Sequence, residues 1–423
     1  MAARFDVQGA DGAHLWHPYT QHGLAPDSVV IDRAEGAYLY DAAGKPIFDA
    51  VSSWWVTLHG HAHPAIARAI AEQASRLEQV IFAGFTHEPA ARLASELVRI
   101  APAGLTRVFL SDDGSTSVEV AVKMALQYWR NAGDSRSRVV ALEHAYHGDT
   151  FGAMSVSARS VFNSAFANEL FDVVRLPDPS EGDAARAFAD VLDKRGNEIA
   201  AVIVEPMLLG AGGMRMWSAA VLRALRMLAA ERGVLFIADE VLTGFGRTSP
   251  LFACEHAGVS PDILCLSKGL TGGFLPLGAT MTTAAVFERF RSANRTHTLF
   301  HGHSYTANPL ACAAATASIG LLDDECAAAR RRIGESHEAA AARFAHHARV
   351  RNARVLGTVL AFEIDEAGDY LHPAASGLHA FALERGVLLR PLGNTVYVLP
   401  PYCASRDDLE RAYSVIAEFL DAR

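Results

Sequence analysis

Two short apolar runs each stop at one ionisable residue. Leu235-Phe236-Ile237-Ala238 ends at Asp239, and Ile263-Leu264-Cys265-Leu266 ends, one serine later, at Lys268. A run of about four to six apolar residues halted by a glycine or a charge reads as a strand buried on both faces. In open α/β sheets, ligands gather outside the carboxyl ends of the strands. Asp239 and Lys268 are therefore expected side by side at one mouth. A buried lysine shifts toward its neutral form and can condense with a carbonyl as a Schiff base. A carboxylate facing it can hold a cationic ring nitrogen. Such an amine and such an acid are what pyridoxal 5'-phosphate requires of a protein. The competing reading of the same two residues is a structural ion pair at strand ends.

A second feature points the same way. The apolar run Arg107-Val108-Phe109-Leu110-Ser111 precedes Asp112-Asp113-Gly114-Ser115-Thr116-Ser117-Val118-Glu119, and a helix is predicted over 120–130. A strand, a glycine-hydroxyl turn and a helix N-terminus make an anion site, because free N–H groups and the helix dipole face the ligand. Thr116 or Ser117 could equally be a plain helix cap above Glu119. The pattern is neither G-x-G-x-x-G nor a Walker sequence, so a dinucleotide or nucleoside triphosphate is not favoured. The run Arg138-Val139-Val140-Ala141-Leu142 leads to Tyr146, an aromatic placed to stack on a planar ring. Glu205 is another acid at a strand end. His59, His61 and His63 lie in a loop broken by Gly60 and Pro64, where no metal site is expected.

The elements that must position these residues follow from periodicity. Runs at 29–33, 37–40 and 46–49 read as a small antiparallel meander. Strand and helix patterns alternate from about 107 to 282, which implies a parallel sheet with right-handed crossovers. A small-residue helix is expected over 309–322, a long helix over 325–347, and further helices over 376–385 and from 407. Trp16-His17-Pro18-Tyr19-Thr20 suggests an arm laid over something, or a simple apolar anchor. Paired Trp54 and Trp55 read as core or as a ligand wall.

With 423 residues, half of them hydrophobic, the chain can bury a large core and a second, smaller one. The net charge of −9 gives no footprint for nucleic acid. Five scattered cysteines without a C-x-x-C suggest reduced thiols in the cytoplasm. Residues 1–12 hold no apolar run of a signal peptide, and no stretch is long enough to span a membrane.

Taken in order, these residues resemble the class III (ω-) aminotransferases of the fold-type I pyridoxal phosphate enzymes. The resemblance covers essentially the whole chain. It is carried by Trp16-His17-Pro18-Tyr19-Thr20, Ser52-Ser53-Trp54-Trp55, Gly210-Ala211-Gly212-Gly213-Met214-Arg215-Met216, Asp239-Glu240-Val241-Leu242-Thr243-Gly244-Phe245-Gly246-Arg247-Thr248 and Asn308-Pro309-Leu310-Ala311. It implies an α/β fold: a large domain, 63–324, around a mixed, mostly parallel seven-stranded sheet, and a smaller α+β domain built from 1–62 and 325–423. By position, Lys268 would hold the cofactor as the Schiff base and Asp239 would pair with the pyridine nitrogen. Tyr146 would stack on the ring, and Gly114 and Ser115 would bind the phosphate. His303 and Ser304 match a loop that reaches the neighbouring subunit's phosphate, which implies a homodimer. Trp54, Tyr19, Gly302 and Arg390 match substrate-contacting positions, with Tyr19 also among the catalytic ones. Where the family more usually has Gly-Pro-Thr-Phe, this chain has Gly302-His303-Ser304-Tyr305, keeping a hydroxyl and losing the proline.

The narrower motifs resemble the members that aminate 8-amino-7-oxononanoate in biotin biosynthesis, with S-adenosylmethionine as the usual donor and lysine in some. Arg390 would then grip the distant carboxylate of the keto acid, or pair with a local acid as a structural arginine. The nearest alternative is an ω-aminotransferase for 4-aminobutyrate, ornithine or β-alanine. A nicotinamide-dependent dehydrogenase shares only the β/α alternation, and a non-catalytic binding protein would have no need of the Lys–Asp pair.

Overall fold

The buried Val-, Ile-, Leu- and Ala-rich runs come together in one seven-stranded sheet. A computed structural model describes residues 5–365, 368 and 370–422. In it the strands are β1 (Leu105–Ser111), β2 (Arg138–Leu142), β3 (Val174–Leu176), β4 (Ile199–Val204), β5 (Leu235–Asp239), β6 (Ile263–Leu266) and β7 (Gly278–Thr283). Their order is β1-β7-β6-β5-β4-β2-β3. Neighbours from β6 through β5, β4 and β2 to β3 are parallel. β4 and β5 are buried along their whole length, as strands covered by helices on both faces must be. β7 runs antiparallel to both β6 and β1, so the sheet is mixed and mostly parallel, as the resemblance implies, where the β/α alternation alone pointed to a parallel one. The connection from β6 to β7 carries only the short turn Lys268–Thr271. Without a crossover helix, the strand returns antiparallel.

After β1 comes α1 (Gly114–Asn131), which begins six residues earlier than periodicity suggests. Asp113 caps it: the Asp113 carboxylate accepts the Thr116 N–H at 2.7 Å, and Thr116 Oγ1 accepts the Asp113 N–H at 3.1 Å. This reciprocal box starts the helix at the glycine and leaves Gly114 and Ser115 in its first turn.

The meander is present as Ile31–Glu35, Tyr38–Asp41 and Pro46–Asp49. Its last strand is extended by Val387–Leu388, parallel, so the two ends of the chain share one sheet. A second antiparallel sheet joins Val350–Leu356, Val359–Ile364 and Thr395–Val398. The helices Asp324–Phe344 and Arg406–Asp421 pack together beside it. We propose a division near residues 62 and 324, on the ground that the terminal segments pair with each other.

Arg247 stitches the pieces together. It is fully buried, and its guanidinium donates to the carbonyls of Pro400 at 2.8 Å and Thr57 at 3.4 Å. Its own carbonyl accepts the Thr358 N–H at 2.9 Å, which docks the Leu356-Gly357-Thr358 turn onto the loop after β5. Gly357 sits at φ +57°, and a Cβ there would lie 2.4–2.6 Å from backbone atoms of Thr248, Ser249 and Arg247. Replacement Gly357→Ala combines a left-handed backbone with a clash against backbone that cannot give. It should cost about 3 kcal/mol and lower the melting temperature in a calorimetric scan; an unchanged melting temperature would show that the turn is free to move.

Candidate active site

A cavity of about 400 Å³ opens at the carboxyl ends of β5 and β6. The parallel register places Asp239 opposite Cys265, three residues before Lys268. Both side chains therefore reach the cavity wall, which Gly114, Ser115, Tyr146 and Glu205 share. Five of the residues that the sequence singled out are thus brought together: Lys268, Asp239, Tyr146, Gly114 and Ser115.

Lys268 is largely but not wholly buried and takes a left-handed backbone, φ +40°. Its Nζ lies 4.4 Å from the centre of the Trp55 ring. Burial lowers its pKa to about 8, although the Asp239 and Glu205 carboxylates favour the ammonium. Asp239 is held from two sides. His147 Nδ1 donates to its Oδ2 at 2.6 Å, and the Val241 N–H donates to its Oδ1 at 3.1 Å. His147 is itself fixed, its backbone N–H donating to Ser157 Oγ at 2.8 Å. Its buried Nε2 has no partner among the described residues. Glu205 accepts the N–H groups of Tyr146 at 2.8 Å and Gly210 at 3.0 Å, and burial raises its pKa to about 7.

The anion cradle is the first turn of α1, whose N–H groups have no acceptor within the helix. Close packing keeps it small. A Cβ on Gly114 would lie 2.8 Å from Val241 Cγ1, and one on Gly148 would lie 2.2 Å from Ser115 Oγ. Ser115 Oγ accepts the Asp149 N–H at 3.1 Å, which ties the cradle to the Tyr146 loop.

The remaining candidates lie off the cavity wall. Tyr19 reaches it through Tyr146: the two phenolic oxygens are 3.1 Å apart, and Tyr19 donates to Asp149. Burial is the main cause that raises both phenols above their usual range. The Tyr19 ring meets Trp54 edge-on at 5.3 Å, and Arg390 places its guanidinium 4.6 Å over the same indole. Arg390 has no hydrogen bond or ion pair among the described residues. Gly302, His303 and Ser304 belong to an adjoining loop. His303 Nδ1 accepts the Tyr305 N–H at 3.2 Å, so the ring proton is on Nε2, 3.7 Å from Asp112 of the cradle. The Ser304 carbonyl accepts Gln79 Nε2 at 2.8 Å.

His147 carries a contact that sequence reasoning gave no role, while Glu205 was read only as an acid at a strand end and Trp55 only as core or ligand wall. Glu205 ends a buried strand as Asp239 does, which was the available signal. His147 stands one residue beyond Tyr146. Nothing in the pair Trp54-Trp55 says which indole turns inward. The histidines at 59 and 61 are otherwise engaged, with Ser318 at 3.1 Å and Asp49 at 2.9 Å. The residues present fit pyridoxal 5'-phosphate: a buried amine, a fixed carboxylate and a helix N-terminus line one cavity.

The chain matches the Aminotransferase class-III family over residues 19–420. An adenosylmethionine-8-amino-7-oxononanoate aminotransferase from Synechococcus elongatus is 51% identical, over 96% of this chain and 98% of its own. One of the same name from Mycobacterium leprae is 41% identical, over 97% and 96%. The crystal structure of the adenosylmethionine-8-amino-7-oxononanoate aminotransferase from Methanocaldococcus jannaschii superposes with a TM-score of 0.95 at 34% identity, covering 98% of each chain. An omega transaminase from Pseudomonas jessenii in complex with PMP gives 0.92 at 25% identity, covering 99% and 98%.

The neutral amine is the reactive form of a lysine, so its reactivity grows as pH rises through the pKa. In cofactor-free protein, modification of Lys268 by an amine-acylating reagent, followed by peptide mass spectrometry, should reach half its plateau rate near pH 8. Surface lysines should do so only above about pH 10. A Lys268 profile matching theirs would contradict the effect of burial.

Proposed function

Because the chain belongs to the class III aminotransferases, a pyridoxal phosphate-dependent transferase family, we propose that it aminates 8-amino-7-oxononanoate to 7,8-diaminononanoate for biotin synthesis, with S-adenosylmethionine as donor. The observation that carries the reaction is the buried Lys268 amine beside Asp239 at adjacent strand ends. The choice of substrates rests on the near full-length identity of 51% to the cyanobacterial relative.

Pyridoxal 5'-phosphate, when bound, supplies a sink for the electron pair left when a Cα–H bond breaks. In our reading, the chain's own residues do the rest. Lys268 Nζ carries the covalent link and, once released by the donor, takes the Cα proton. Its lowered pKa keeps much of it neutral near pH 8, as a base requires. Asp239 holds the proton on the ring nitrogen, and the His147 hydrogen bond fixes its orientation. The first turn of α1 and Ser115 hold the phosphate, and Tyr146 walls the ring. Two half-reactions then share one site, with ping-pong kinetics. Arg390, without an ion-pair partner among the described residues and set over Trp54, receives the distant carboxylate of the keto acid, while Trp54 and Tyr19 flank its aliphatic chain.

The working unit we propose is a homodimer. Ile81, Phe85, Phe300 and Tyr305 are exposed on two loops joined by the Gln79–Ser304 hydrogen bond. An apolar group of this kind on a surface marks a contact with another chain. A second copy seated there would bring Gly302, His303 and Ser304 toward its neighbour's cradle. No helix among the described residues is long and apolar enough to cross a membrane. The five unpaired cysteines suit a reducing cytoplasm.

The purified protein should show a visible absorbance band that bleaches on adding S-adenosylmethionine. A band bleached only by 4-aminobutyrate, ornithine or β-alanine would keep the aminotransferase and overturn the substrates. Lys268→Ala should lower kcat by at least about 10³-fold. Arg390→Ala should raise KM for the keto acid by about 10- to 100-fold and leave that for the donor nearly constant, as expected for a lost charged hydrogen bond; equal rises would remove the arginine from carboxylate recognition. Sedimentation should give twice the chain mass, and Phe300→Asp should halve that mass and abolish activity. A fully active monomer would dismiss the shared site.

A further inference from the structure

A second, larger cavity of about 770 Å³ adjoins the first. Tyr146 and Ala211 line both, so the two meet at the mouth of the catalytic site. Its most prominent side chain is Phe162. That ring packs edge-on against Tyr370 at 4.6 Å, Tyr146 at 5.7 Å and Tyr19 at 5.9 Å. One phenylalanine thus joins both phenols of the mouth to a third on the far side. The same cavity holds Glu363, whose Oε1 accepts Arg354 Nη2 at 2.6 Å. Arg354 is fixed in turn by the carbonyls of Met214 and Gly213, each at 2.8 Å. This arrangement leaves Glu363 Oε2 buried with no partner among the described residues. A carboxylate oxygen in that state is an acceptor waiting for a donor.

The two substrates place different demands on the protein. The keto acid is an unbranched chain ending in a carboxylate, and Arg390 over Trp54 answers that shape. The donor must bring an α-amino group to Lys268 while a bulky, flat, hydroxyl-bearing nucleoside stays outside. The first cavity, about 400 Å³, is the one that the cofactor would take. A volume of several hundred Å³ lined by aromatic rings and a few placed polar groups is the usual form of a site for a ligand of nucleoside size. Rings offer the heterocycle a face, and a fixed carboxylate accepts from an exocyclic amine or a ribose hydroxyl.

We propose that the second cavity is the nucleoside subsite for the amino donor, with the base against Phe162 and Tyr370 and a donor group on Glu363 Oε2. This rests on S-adenosylmethionine being the donor. It makes Phe162 and Glu363 determinants of donor choice that the keto acid does not use.

The test compares the holoenzyme with Phe162→Leu and Glu363→Gln, measuring KM for each substrate. Calorimetry adds the Kd of 5'-deoxy-5'-methylthioadenosine, which keeps the nucleoside and lacks the α-amino acid portion. In Phe162→Leu, KM for S-adenosylmethionine and Kd for the thionucleoside should rise about tenfold, the scale of losing one base–aromatic contact, with KM for the keto acid changing less than about twofold. Glu363→Gln, which preserves shape, should move the same two constants by about fivefold. If the wild type uses S-adenosylmethionine but both variants leave these constants unchanged, or shift both substrates equally, the subsite is overturned and the donor stands. If the wild type ignores S-adenosylmethionine and takes its amine from lysine, the donor falls and the subsite with it.

Discussion

The chemistry of this fold depends on keeping one lysine amine buried without letting it become a fixed ammonium. Burial pushes Lys268 toward its neutral form. Asp239 and Glu205 pull the other way, and the Trp55 ring face accepts the positive end. The outcome is an amine near the balance point, able to hold or release a proton. That balance requires the two acids to sit at fixed places. The parallel pairing of β4, β5 and β6 provides them: Glu205 follows β4, Asp239 ends β5 and Lys268 follows β6. Three neighbouring strands deliver three ionisable groups to one edge of the sheet.

Backbone strain is present around the same lysine. Lys268 at φ +40°, Ser52 at +52°, Ser53 at +59° and Trp55 at +68° all hold left-handed conformations without being glycine. Each costs on the order of 1 kcal/mol or more, and such residues persist only where their surroundings over-determine them. Asp49 does most of this. It is completely buried and accepts the N–H groups of Val51 at 3.2 Å and Ser53 at 2.6 Å, with His61 on its other side at 2.9 Å. Ser52 Oγ donates to the Leu399 carbonyl at 2.8 Å, and the Trp55 indole N–H donates to Tyr397 at 2.9 Å. The tight turn that results sends adjacent indoles to different tasks. Trp55 goes inward to Lys268, and Trp54 goes outward to Tyr19 and Arg390.

That division explains what could and could not be read beforehand. Asp239, Lys268 and the cradle at Gly114 and Ser115 were legible because a buried parallel strand is a nearly unbroken apolar run, and the residue that breaks it marks the ligand edge. The meander was legible through alternation. The start of α1 was not, because the deciding interaction is a reciprocal hydrogen-bond box between Asp113 and Thr116, whereas periodicity begins only where the helix meets the core. The direction of β7 depends on whether eleven residues hold a crossover, which composition does not state. His147 was missed, and the inward turn of Trp55 left undecided, for another reason. Their importance comes from a partner far along the chain, 92 residues away for His147 and Asp239. Local pattern carries no trace of such pairs.

The same geography separates chemistry from selectivity. The residues we propose to hold the cofactor and move protons sit on strand ends and a capped helix, rigid elements with little freedom to wander. The groups we propose to meet the substrates (Tyr19 and Trp54 near the N-terminus, Arg390 near the C-terminus, Phe162 on the loop after Phe151–Val156) come from segments outside that sheet. Loops on a rigid scaffold tolerate change where strands do not. A chain so divided can alter which amine or keto acid it accepts by changing the cover, while Lys268, Asp239 and the cradle keep their geometry. An omega transaminase only 25% identical keeps the same backbone over 99% of this chain, so side chains on the sheet and on its cover can both change while the fold stays.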